Sequence, residues 1–80
     1  MRAALTARQR EVLRLTAAGH TSAQVARRLG INPTTVARHL GEIYKTLGAN
    51  DRAHAVALAI WRGDITLADL AHIASKETAA

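Results

Sequence analysis

The sequence has no cysteine, one proline and only two aromatic residues, Tyr44 and Trp61. Without cysteine, the chain forms no disulfide and offers no thiolate ligand to a metal. It also lacks an apolar run of the roughly 18 residues that a membrane-spanning helix requires. A chain of 80 residues forms one domain at most. We therefore expect a small cytoplasmic domain with no cofactor, no metal site and no membrane association.

Acidic residues are scarce in the first three quarters of the chain. Ten of the 11 lysines and arginines lie in residues 1–63, together with only Glu11, Glu42 and Asp51, and the whole chain has a formal net charge of +5. A basic small domain favours an anionic partner, above all a nucleic acid. A solvated surface without such a partner explains the charge equally well, so charge alone leaves both interpretations open.

Apolar periodicity and capping residues divide the chain into helices. Alanine and leucine dominate between glycines that fall at intervals, which predicts an all-α fold. Thr6, Thr21 and Thr66 each precede a helical pattern and are followed three residues later by Gln or Asp, the spacing of a capping box. Asn32 before Pro33 is the predicted start of the third helix. These signals predict four helices up to residue 63 and an extra helix after it.

The third helix, in the segment INPTTVARHLGEIYKTLG, has two different sides. Its apolar stripe, at the spacing of a packed helix face, consists of Val36, Leu40, Ile43 and Leu47. The opposite side is small, polar and basic, and it holds Thr34, Thr35, Arg38, Gly41, Glu42 and Lys45. Hydroxyls and amides at a helix N-terminus suit phosphates, and arginine can bind guanine in the major groove. The alternative is the solvated face of an ordinary amphipathic helix.

A short capped helix, a tight turn and a longer basic helix together form a helix-turn-helix pattern. Most of the chain, residues 5–62, resembles the LuxR/GerE-type helix-turn-helix domain of bacterial transcription regulators. The resemblance lies in the motifs LT, REVL, VARRLGI, TV..HL..I...LG and R..AV, and in Gly19. It implies a four-helix domain whose third helix enters the DNA major groove and whose fourth helix pairs two protomers in many members.

The resemblance also implies which residues contact DNA. The expected DNA-binding residues are Ser22, Gln24, Thr34, Thr35, Arg38, His39, Glu42, Lys45 and Arg52. Family members commonly carry lysine where this chain has Ala23 and Ala37, which lowers the expected attraction to DNA and leaves Arg38 as the main base-reading candidate.

Two members of this set have other roles open to them. Glu42 can accept from cytosine, but we favour a helical ion pair with Arg38 or Lys45. His39 lies at the edge of the apolar stripe, where a bond to backbone or phosphate is favoured over a metal.

The fourth helix, from about Asp51 to Trp61, is apolar nearly all round. One side holds Ala55, Val56, Ala59 and Ile60. The second stripe holds His54, Ala57, Leu58 and Trp61. Because so small a chain cannot bury a helix completely, we expect the second stripe to form a homodimer interface. A two-fold dimer places two recognition helices about 34 Å apart and predicts a palindromic site.

These expectations give a helix-turn-helix domain over residues 1–63 and a helical extension with a frayed tail over residues 64–80. Since few residues precede the first helix, we expect a stand-alone, nucleoid-associated regulator that binds double-stranded DNA, with a fragment of a larger regulator as the alternative. Its regulation then depends on abundance, dimerisation or a partner protein. Two other functions stay open: a protein-interaction adaptor on the same scaffold, and a promoter-recognition domain like region 4 of sigma factors. No paired acids or nucleophile–base motif suggest an enzyme, and Glu11 is expected to make a helix-packing contact with an arginine.

Overall fold

Five helices follow one another in the structure, which is a computed structural model that describes residues 4–78 and the side chains as far as residue 75. They are α1 (Ala7–Ala17), α2 (Ser22–Leu29), α3 (Pro33–Leu47), α4 (Arg52–Arg62) and α5 (Leu67–Thr78). No strand occurs among the described residues. The predicted all-α class and the extra fifth helix are confirmed, while residues 1–3 and 79–80 of the predicted segments lie outside the described part. No helix in that part has the length and apolar character to cross a membrane.

The helices begin where the sequence predicts. The Thr6 and Thr21 hydroxyls each accept a hydrogen bond from the backbone N–H three residues later, and the glutamine there accepts one in return, so both capping boxes are complete. Asn32 Oδ1 accepts from the Thr34 N–H at 2.8 Å, and Pro33 occupies the first turn of α3. Short-range hydrogen bonds therefore fix the start of the helix-turn-helix independently of the rest of the fold.

The core lies between the first four helices. Its fully buried side chains include Val12 and Leu13 of α1, Val25 of α2, and Val36 and Ile43 of α3. Helix α3 contacts α1, α2 and α4, so one side of it is covered along its length. The predicted apolar stripe of α3 is confirmed as its packed side, and its other side faces outward.

Helix α5 is joined to α1 by apolar and charged contacts. Ile65, just before α5, is buried in the core, and Ile73 packs against the core from the middle of α5. Arg14 Nε lies 3.4 Å from Asp69 Oδ2, which links the two helices by an ion pair. The helix continues to Thr78, so residues 75–78 of the predicted frayed tail are helical and residues 79–80 lie outside the described part.

Candidate nucleic-acid interface

The outward side of α3 is polar and basic. Thr34, Arg38 and Lys45 are exposed there, and Thr35 is half-buried. Among the described residues, the side chains of Arg38 and Lys45 have no hydrogen-bond or ion-pair partner. The backbone N–H groups of the first turn already donate to Asn32, so the start of this helix offers no free N–H for an anion. The structure therefore brings hydroxyls and two cations, which have no side-chain partner among the described residues, together on one side of one helix.

Helix α2 is held against α3 by a turn of three residues, 30–32. Gly30 has a φ of 68°, a left-handed conformation that residues with a Cβ rarely adopt, and the Ile31 N–H donates to Ala26 O at 3.0 Å. At the start of α2, Ser22 is half-buried and Gln24 is exposed. Gln24 Oε1 already accepts from the Thr21 N–H at 2.8 Å, so only its amide NH2 group is left to donate to another partner.

Glu42 corrects one sequence prediction. It is exposed, but it pairs with neither Arg38 nor Lys45. Instead Glu42 Oε2 accepts a hydrogen bond from Gln9 Nε2 of α1 at 3.3 Å. The expected pair within the helix is therefore wrong, because α1 packs against α3 and supplies a donor that is already oriented. Sequence reasoning missed Gln9 as part of this side of the molecule, although a glutamine in a capping box has a spare NH2 group that needs an acceptor when buried.

The histidines occupy different environments. His39 is half-buried at the core boundary, as expected, but its buried Nδ1 atom has no hydrogen-bond partner among the described residues. The favoured bond to the backbone is therefore not formed, and a contact with phosphate stays a prediction. His20 is buried, and its Nδ1 donates to Leu15 O at 2.9 Å, which ties the α1–α2 turn to α1. No group of three metal-ligating side chains is found in the described part of the chain.

Helix α4 has one buried side and one outward side. Ala55 and Ala59 are buried, while Ala57 and Trp61 of the predicted dimer stripe are exposed, Trp61 to 71%. His54 and Leu58 of the same stripe are both half-buried. His54 has a local role that was not anticipated, since its Nδ1 accepts from the Asn50 N–H at 3.1 Å and helps to fix the start of α4. Arg52, the other predicted DNA contact, is exposed in the first turn of α4.

Several arginines outside α3 are paired with carboxylates. Arg62 Nε lies 3.1 Å from Asp64 Oδ2 in a nearly buried ion pair, and Arg14 pairs with Asp69. Glu11 contacts an arginine, but not in the helix packing that the sequence suggested: its partner is Arg8 of the same helix, at 3.1 Å on the surface. These pairs leave the unpaired cations of α3 as a distinct basic surface.

Asp69 is the residue whose acidity the fold changes clearly. Its carboxylate accepts a hydrogen bond from the Thr66 backbone N–H at 2.9 Å. This bond holds the pKa of Asp69 below its ordinary value, and the Thr66 hydroxyl and the Arg14 guanidinium act in the same direction. The ionised form of Asp69 therefore stabilises the start of α5. It is not part of the outward side of α3.

Comparison with known proteins gives one consistent result. Residues 3–59 match the family described as bacterial regulatory proteins, luxR family. The chain is 50% identical over 56 residues to the probable transcriptional regulatory protein SgaR of Hyphomicrobium methylovorum, and 45% identical over 56 residues to the probable transcriptional regulatory protein NarL of Mycobacterium tuberculosis. Each match covers 70% of this chain and 26% of the relative. The chain thus spans about a quarter of the length of these curated relatives.

A solved structure gives the same fold. The response regulator ChrA of a heme-sensing two-component system superimposes with a TM-score of 0.76 at 37% identity, over 81% of this chain and 32% of that protein.

Proposed function

Because the chain belongs to the luxR family of bacterial regulatory proteins, we propose that it regulates transcription by binding double-stranded DNA sequence-specifically, with α3 in the major groove. The observation that carries this proposal is the outward side of α3, where the Arg38 and Lys45 side chains are exposed and have no partner among the residues that the structure describes. A helix of this kind fits the width of the major groove. The relatives are named as transcriptional regulators, which agrees with a role in binding rather than catalysis.

The exposed residues suggest a division of roles. Arg38, near the middle of α3, is placed to make the paired hydrogen bonds by which arginine reads guanine. Thr34 and Thr35 at the start of α3 suit phosphate oxygens, and Lys45 provides a point charge for the backbone. Contacts from α2, from α4 and from one more residue of α3 complete the proposed set, which adds Ser22, Gln24, His39 and Arg52. Glu42, expected from the sequence to contact DNA, is left out of the set because its carboxylate is bonded to Gln9 of α1.

A homodimer through α4 forms the second part of the proposal. Ala57 and Trp61 are exposed on the side of α4 that faces away from the core. Small residues allow two helices to approach closely, and an exposed tryptophan supplies a large apolar contact. A two-fold dimer places two copies of α3 about one DNA turn apart and requires a palindromic site. Binding to chromosomal DNA implies a location in the cytoplasm, at the nucleoid.

One observation favours a different function. Ala23 and Ala37 are both exposed on the helix-turn-helix, and neither carries charge. A chain that uses this scaffold to bind a regulatory protein needs no cations there, so an adaptor is the second candidate. The family match to luxR regulators leaves the sigma-type promoter-recognition domain without support.

Selection of bound duplexes from a random-sequence pool separates the two candidates. For a DNA-binding regulator we expect a palindromic sequence to be enriched, and its binding to weaken as salt rises, since phosphate contacts release counterions. Failure to enrich any sequence at low salt would favour the adaptor. Enrichment of a sequence without two-fold symmetry would reject the dimer while leaving sequence-specific binding intact.

A further inference from the structure

The Gln9 side chain connects α1 to the DNA-facing helix α3. Gln9 is buried, with 8% of its surface exposed. Its Oε1 accepts from the Thr6 backbone N–H at 2.9 Å, and its Nε2 donates to Glu42 Oε2 at 3.3 Å. The reverse orientation of the amide would set its oxygen against a carboxylate and its NH2 group against an N–H. The hydrogen bonds therefore determine that the donor end of Gln9 faces Glu42.

Glu42 is the one acidic residue in the sequence of α3. It lies four residues after Arg38 and three residues before Lys45, spacings at which a carboxylate and a cation pair on a helix surface. A pair with either cation would neutralise a charge on the outward side of α3. The bond to Gln9 instead holds the carboxylate on the side of α1, and both cations remain without an intramolecular partner among the described residues.

We propose that Gln9 is a positioning residue for DNA recognition: it holds the Glu42 carboxylate toward α1, so that Arg38 and Lys45 keep their charges available for DNA. This inference rests on the proposed DNA-binding function. The capping box needs only the oxygen of the Gln9 side chain, which accepts from the Thr6 N–H. The proposed positioning role depends instead on the NH2 group, which donates to Glu42. A carboxylate at position 9 preserves the cap and repels Glu42, which makes the two roles of Gln9 separable.

The test compares the full chain with Gln9→Glu, using the duplex that the unaltered chain selects from a random pool. In Gln9→Glu the Glu42 carboxylate is expected to turn toward Arg38 or Lys45 and neutralise it. Loss of one phosphate contact reduces the magnitude of the slope of log affinity against log salt by about 0.9. This corresponds to about an eightfold weaker affinity at 0.1 M salt. The matched control is Ala7→Glu, which adds the same charge at an exposed position in the first turn of α1. We expect the control to change affinity by less than about twofold, because exposed charges are screened.

The double variant Gln9→Glu, Glu42→Gln supplies the decisive readout. It restores a donor–acceptor pair with reversed polarity and has the same net charge as the unaltered chain. We expect it to regain both the affinity and the salt slope. If circular dichroism shows that Gln9→Glu does not fold, Gln9→Ala replaces it. Gln9→Ala is then measured in two backgrounds, one with Glu42 unaltered and one with Glu42→Gln. The alanine variant is expected to weaken binding only where Glu42 is unaltered.

Two results would overturn the inference. One is a Gln9→Glu variant that binds with unchanged affinity and salt slope. The other is a double variant that stays as weak as Gln9→Glu, since the defect would then come from α1 and not from the position of Glu42. If Gln9→Ala is used instead, an equal loss of DNA affinity with and without Glu42→Gln would likewise overturn the inference. Absence of any selected duplex for the unaltered chain rejects the proposed function itself, which is a different result.

Discussion

Replacement of Ile65 by alanine tests whether the junction between α4 and α5 belongs to the folded core. Ile65 is 1% exposed and joins the core of the first four helices, although it lies beyond residue 59, where the family match ends. Loss of three carbon atoms costs about 2.4 kcal/mol in transfer free energy, and the total cost of such a substitution in a core, including the cavity, is about 2–5 kcal/mol. The free energy of unfolding of a domain of this size is only about 4–12 kcal/mol. The substitution therefore removes a large fraction of the stability.

Thermal unfolding followed by circular dichroism measures this effect. A domain of this length loses about 4–8 °C in Tm for each kcal/mol, so Ile65→Ala is expected to lower the Tm by at least about 8 °C. The matched control is Leu67→Ala, two residues later, because Leu67 is 69% exposed. An exposed truncation of this kind is expected to change the free energy of unfolding by less than about 0.5 kcal/mol. Equal Tm values for the two variants would refute the reasoning, because Ile65 would then make no core contact.

Three other predictions concern α5, α4 and α3. The pKa of Asp69 is lowered in the folded chain, so its stabilisation of α5 is present at neutral pH and lost as the pH falls through the folded-state pKa. The protection of amides at the start of α5, measured as exchange relative to the intrinsic rate at each pH, should fall on acidification less in Asp69→Asn than in the unaltered chain, and identical profiles would contradict this. Ala57→Glu should convert a dimer to a monomer in sedimentation velocity, and an unaltered chain that is monomeric throughout would reject the interface. Ala37→Lys should steepen the salt slope of DNA binding by about 0.9, whereas an unchanged slope would show that this part of α3 faces away from phosphate.

The helices and their starts were predictable because their signals are short-range. Thr6, Thr21 and Asn32 cap helices through bonds to backbone groups two or three residues away, so the sequence window that contains the cap contains the whole interaction. The apolar stripe of α3 was predictable for a related reason, since periodicity alone identifies which side of a helix packs.

The pairing of side chains between helices was not predictable. Glu42 has two cations within helical reach, and its choice of Gln9 depends on how α1 packs against α3. The sequence likewise cannot show that Ile65, just before α5, enters the core of the first four helices. His54 matched the pattern of a dimer stripe, yet its Nδ1 is occupied by a backbone N–H from Asn50. Each of these depends on distances between segments that no local pattern encodes.

The most direct test of the central claim, that α3 reads DNA bases through Arg38, is a measurement of base specificity. The unaltered chain, Arg38→Ala and Lys45→Ala are each titrated against the selected duplex and against duplexes with single base-pair changes. We expect Arg38→Ala to lose about 1–3 kcal/mol of discrimination, or about 5–150-fold in relative affinity, at one position of the site. Lys45→Ala should weaken binding to all duplexes evenly. An Arg38→Ala variant that discriminates among the duplexes as well as the unaltered chain does would contradict the claim.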